Sequence, residues 1–140
     1  MKRYEHTQPA VTVLIITGAI ALSFLCVGVF QKQLLIGGAV LVIISWLFRS
    51  LTIEVTETEL IWKFGGGWLR KRVPLREIAS VKIVRTNVLE GWGIHITRFG
   101  WLYNVSGFEA VAITLNSGKR FALGTDEAEK LASVLVERQE

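Results

Sequence analysis

The sequence predicts a membrane α-helical hairpin followed by a small α+β, mainly-β domain: about seven strands closed by a C-terminal α-helix. Three observations predict it. Two long runs near the N-terminus lack charged side chains. From Leu51 onward, apolar and polar residues alternate with period two, as in half-buried strands. The last segment carries an apolar stripe at helical spacing.

Residues 1–9 read as a polar tail ending at Pro9, a residue tolerated at a helix start. Residues 10–30 contain no charge, and only Thr12, Thr17 and Ser23 are polar. Residues 34–48 again contain no charge, with Ser45 the only polar residue. About 20 apolar residues match a hydrocarbon core about 30 Å thick at about 1.5 Å per helical residue. The expected spans are therefore about 10–30 and 34–49, within a membrane region 1–50. The second is short, and Lys32, Arg49 and Trp46 suit its two ends. A removable signal peptide fits poorly, because the first run is too long and no small-x-small site follows it. Lys2, Arg3, Arg49 and Lys63 flank the spans on the side of the termini, against Lys32 alone in the connecting loop. That balance predicts an integral protein of the cell inner or plasma membrane with both termini cytoplasmic. The single cysteine, Cys26, lies within the first run and excludes an intrachain disulfide. Gly28, Gly37 and Gly38 predict close helix packing near the outer end.

The soluble domain is expected over residues 51–140. Leu51, Ile53 and Val55 mark one strand face, and Leu60, Trp62 and Phe64 the next, with a turn at Thr56-Glu57-Thr58-Glu59. Gly65-Gly66-Gly67 ends the second strand, and residues 68–73 form a third. Pro74-Leu75-Arg76-Glu77-Ile78 reads as one helical turn, and residues 81–85 as a fourth strand. Strands follow at 92–96, 101–105, about Val111 to Leu115, and 120–123, the last two joined by the turn Asn116-Ser117-Gly118-Lys119. Thr125 or Asp126 can cap the final helix, with Glu129 completing a capping box after Asp126. Ala128, Leu131, Ala132 and Leu135 form its apolar stripe.

Several of these residues carry a family likeness: Val73-Pro74-Leu75 with Ile78 and Val81, Gly91-Trp92-Gly93-Ile94, residues 100–107, and Gly124-Thr125-Asp126-Glu127 entering the last helix. With the order of elements, they make residues 51–140 resemble prokaryotic pleckstrin-homology-like (PH-like) domains that follow paired transmembrane helices. The resemblance implies an antiparallel barrel or sandwich that serves as a scaffold for protein or lipid contact. Eukaryotic relatives grip phosphoinositides with basic residues in an early loop. Here the basic cluster follows the glycine loop, so no binding residue is carried over.

Chemistry is sparse. Two histidines, His6 and His95, and one cysteine do not build an ordinary zinc site, so no metal and no cofactor is expected. No nucleophile motif is present, and an enzyme is not expected; His95 with a nearby acid would be its only candidate. Residues 60–87 hold seven cations against Glu77, whereas residues 51–140 hold 12 basic and 11 acidic residues, a balance that argues against nucleic acid. Trp68, Leu69, Arg70, Lys71 and Arg72 are the candidate contact with anionic lipid. The competing reading packs Trp68 in the core and leaves the cations as strand surface. The expected function is binding: a membrane-anchored domain presenting a protein- or lipid-interaction surface. The alternative is an accessory subunit or homo-oligomer packing through its hairpin.

Overall fold

Residues 2–9 form a strand rather than the polar tail that their composition predicts. In the computed structural model, which describes residues 1–28 and 31–137, β1 (Lys2–Pro9) runs antiparallel to β2 (Ser50–Thr56). Its inward residues are Tyr4, His6 and Gln8, all with polar tips, so the period-two signal was hidden. Pro9 ends the strand opposite Ser50, and the buried Ala10 donates its N–H to the Arg49 carbonyl at 2.9 Å. The two helices α1 (Val11–Gly28) and α2 (Lys32–Leu47) are thus an insertion at the tip of a β-hairpin, with no flexible linker on either side.

By length and composition α1 is apolar and long enough to cross a membrane; α2, with 16 residues, is shorter. Val29 and Phe30, expected at the end of the first span, lie outside the described residues, as do residues 138–140 of the expected domain. The helices pack antiparallel through their glycines. A Cβ on Gly28 would come within 2.7 Å of the Leu35 side chain, and one on Gly37 within 3.2 Å of Phe24. Gly38 is buried against Phe24 and Ala21. These glycines are used within the chain.

β2 continues into β3 (Glu59–Phe64) and β4 (Leu69–Pro74), completing an antiparallel sheet of order β1-β2-β3-β4. The register puts Leu51, Phe64 and Leu69 in one inward row and Ile53, Trp62 and Lys71 in the next. A 3₁₀ turn at Leu75–Glu77 leads to the second sheet, as Pro74 and the short helical pattern predict. Its strands are β5 (Ile78–Arg85), β6 (Gly93–Thr97), β7 (Gly100–Asn104), β8 (Glu109–Leu115) and β9 (Arg120–Gly124), in the order β5-β8-β9-β7-β6.

The sheets face each other across one core that includes Ile53, Leu60, Phe64, Tyr103, Val111 and Leu123. Neither sheet closes into a barrel, and β7 pairs with β9 in parallel, so of the expected barrel or sandwich of about seven antiparallel strands the arrangement is an open sandwich, with nine strands among the described residues and one parallel pair. The parallel pair arises because β8 crosses between β5 and β9 and returns the chain beside β7. Helix α3 (Ala128–Val136) buries Ala128, Leu131 and Leu135 against the core. Its expected capping box does not form. Glu127 occupies the N-cap without a side-chain capping bond to the helix, while Thr125 Oγ1 accepts from the Glu127 N–H at 3.1 Å.

Candidate membrane-facing site

The helix-bearing end of the sandwich gathers aromatic and basic side chains from distant parts of the chain. Leu47, the last residue of α2, has its carbonyl free of helical bonding, and Trp68 Nε1 donates to it at 2.7 Å. The Trp68 ring meets Phe48 edge-on at 5.3 Å, and Phe48 meets Phe64 at 5.2 Å. Arg49 lies over the Trp46 ring at 4.7 Å and donates to the Trp46 carbonyl. The glycine loop allows this approach: Gly65 has φ +50°, and a Cβ there would stand 2.6 Å from the Leu47 oxygen. Trp68 is therefore neither a core residue nor a free side chain. It is half-exposed and pinned to the end of α2.

The other members of the candidate pentad diverge. Leu69 is half-buried and packs on the core. Arg70 pairs with Lys63 and Arg72 with Ile61 in the row facing outward, and both are exposed. Lys71 points the other way, over the open edge of the core, with its Nζ 5.4 Å from the Tyr103 ring. Alternation on the strand explains the split. Each step along β4 also moves about 3.3 Å from the helix ends. The structure thus brings Trp68 to the helix base, leaves Arg70 one pairing step from it, and carries Lys71 and Arg72 away.

Sequence reading missed other contributors at this end. Gln8 Nε2 donates to the Ser106 carbonyl, and the Thr12 and Ser106 hydroxyls stand 3.4 Å apart. Trp92 Nε1 donates to the Gly107 carbonyl, and Trp92 helps to line a cavity of about 160 Å³ with Val13, Ile44 and Phe48 of the helices. The loop 86–92 is held there at both ends, the Thr86 N–H bonding Phe108. Between them Val88 and Leu89 stand open, Leu89 at 97% exposure. The adjacent apolar pair Val88-Leu89 within a polar loop was the available signal.

On the outer face of the first sheet, the buried Glu54 carboxylate accepts from Lys63 Nζ at 2.6 Å, with Lys2 Nζ at 3.8 Å. The Lys63 hydrogen bond, opposed by desolvation and helped by both lysine charges, holds the Glu54 pKa below its ordinary value. A depressed carboxyl pKa adds stability above the unfolded-state value, which is lost as pH falls through the folded-state value. Glu54→Gln should therefore destabilise the protein at neutral pH, and the gap from the parent should close in acid. Urea unfolding across pH reads this; a gap independent of pH would contradict it.

His95, on the edge strand β6, has no hydrogen-bond partner for its buried Nε2 among the described residues, and no carboxylate pairs with it. His6 instead joins the N-terminal strand to the start of α3, with Nε2 2.6 Å from Asp126 and Nδ1 3.5 Å from Glu127. Tyr4 OH donates to Glu127 beside it at 3.1 Å. These contacts clamp β1 to α3. Comparison with known proteins finds no matching protein-family model, no matching curated protein and no matching solved structure.

Proposed function

We propose that the chain is a non-enzymatic, membrane-anchored binding module: the helical hairpin spans the cell membrane, and the sandwich stands at its cytoplasmic face as a PH-like scaffold. The observation that carries this reading is the exposure of the helices. Large apolar side chains on both remain uncovered by the protein, with Ile15 at 66% and Ile36 at 68%. Exposed apolar surface of this extent is unfavourable in water and matched to lipid. Polar groups within the spans are satisfied internally, as a hydrocarbon environment demands. Thr17 and Ser23 donate to carbonyls one turn back, and Ser45 Oγ stands 2.6 Å from Thr17 Oγ1 across the helix pair.

The base of the sandwich suits an interface. Trp46, Arg49 and Trp68 gather at the end of α2, as amphipathic rings and cations do at headgroup level. Val88 and Leu89 add exposed apolar area on the loop that Trp92 anchors at this end, and Arg70 is the pentad's nearest cation to the helix base. Because β1 and β2 run directly into the helices, the orientation of the sandwich is set by the spans. The likeness to PH-like domains supports a scaffold role and rests on the residues quoted and on a C-terminal helix beside two sheets.

Topology is tested with the lone cysteine removed by Cys26→Ala. In intact cells Gln33→Cys should react with a membrane-impermeant maleimide, and Ser117→Cys should react only after lysis. Labelling of Ser117→Cys from outside would reverse the orientation. Equal protection of both positions before lysis would remove the spanning hairpin.

A further inference from the structure

The open side of the sandwich holds a cleft that the membrane reading does not use. It lies between β4 of the first sheet and β7 and β9 of the second, with a volume of about 650 Å³. Its floor is aromatic. Trp62 stacks on Phe121 with ring centres 4.8 Å apart and an angle of 20°, and meets Tyr103 edge-on at 5.3 Å. Trp101, half-exposed, lines the wall.

Two features of this cleft are unsatisfied. Trp62 is only 3% exposed, yet its Nε1–H has no hydrogen-bond partner among the described residues. A buried donor without a partner is uncommon and costly in native proteins. The rim also collects cations without matching anions: Lys71, Arg72, Lys119 and Arg120 stand against Glu77 alone. Arg72 reaches Glu59 only at 4.0 Å, and among the described residues the other three make no ion pair. Edge strands often carry lysine to prevent sheet-to-sheet association, which accounts for a cation on β4. It does not account for the orphan indole donor.

We propose that this cleft binds an amphiphilic organic anion, a carboxylate or phosphate on a flat apolar body. The acidic group sits among Lys71, Lys119 and Arg120, where charge-assisted hydrogen bonds are strong. The apolar body lies against Trp101 and Tyr103, using the stacking that aromatic faces favour. An acceptor on the ligand takes the Trp62 Nε1–H. The volume falls within the range of small-molecule sites, about 300–1,000 Å³. Such an anion can come from solution or from a lipid headgroup. Trp101, Leu115 and Arg120 lie at strand ends opposite those that join the helices, which favours a ligand from solution.

The test uses the full chain in zwitterionic micelles and follows the indole N–H resonances of its five tryptophans, with Trp62 assigned by Trp62→Phe. The probes are 2-naphthoate, its neutral amide and inorganic phosphate. 2-Naphthoate should shift the Trp62 resonance saturably, and the amide and phosphate should not. In Lys71→Ala/Arg120→Ala the dissociation constant should rise at least about tenfold, with the indole signals of Trp46, Trp68 and Trp92, which lie away from the cleft, unmoved as proof of folding. No saturable shift, an equal response to the amide, saturation by phosphate alone, or unchanged affinity in the folded double variant would each overturn the proposal. Nanodiscs of phosphatidylglycerol against phosphatidylcholine, without probe, separate the sources. A Trp62 shift on changing the lipid assigns the anion to a headgroup, whereas no shift alongside naphthoate binding assigns it to solution.

Discussion

Phe64→Ala is expected to destabilise the protein by about 3–5 kcal/mol, the usual range for emptying a fully buried phenylalanine site. Phe64 is 0% exposed and lies in the inward row between Leu51 and Leu69. Its ring meets Phe48, just past α2, at 5.2 Å and Tyr103 of the second sheet at 6.3 Å. One side chain therefore joins the helix end to both sheets. No neighbour can collapse easily into the space it would leave, because each is fixed by a strand or a helix terminus. Phe64→Leu keeps most of the volume and should cost less than about 2 kcal/mol. Guanidinium unfolding in detergent micelles, followed by tryptophan fluorescence, measures both. A loss below about 1 kcal/mol for the alanine variant would place Phe64 outside the cooperative core.

The second large effect concerns the proposed membrane spans. Ile20 and Val40 lie near the middle of α1 and α2, and both are exposed on the protein's own surface. In a bilayer they would face lipid, where a lysine at the centre of a helix costs about 2.5–3.5 kcal/mol for insertion. The combined Ile20→Lys/Val40→Lys variant should lose about 5–7 kcal/mol of insertion free energy by the same scale. Its membrane-integrated fraction should collapse, because α2 is short and has little reserve. Alkaline carbonate extraction reads this directly. The parent should stay with the membrane pellet, and the variant should be released or degraded. Release of the parent would mean that another surface, such as a second copy of the chain, covers these helices.

Much of the local architecture was legible from particular residues. The alternation of Leu60, Trp62 and Phe64 became a buried strand face, and the turn at Asn116-Ser117-Gly118-Lys119 formed with Gly118 at φ +84°. The stripe of Ala128, Leu131 and Leu135 became the buried side of α3. The candidate lipid pentad was legible only as composition. Whether neighbouring cations act together depends on which side of β4 each one takes and how far each lies from the helix base. The strand turned Lys71 into the cleft and Arg70 and Arg72 outward.

By itself the sequence determined the two apolar runs, the strand faces, the turns and the final helix, because each follows from contacts within a few residues or from a short hydrophobic period. Only the tertiary structure decided the rest. It paired β1 with β2 across the whole helical insertion, set β7 beside β9, and brought Trp68 to Leu47 and Lys71 over Tyr103. These pairings join segments tens of residues apart. They are selected by the joint burial of both sheets around one core, and no local pattern carries that information.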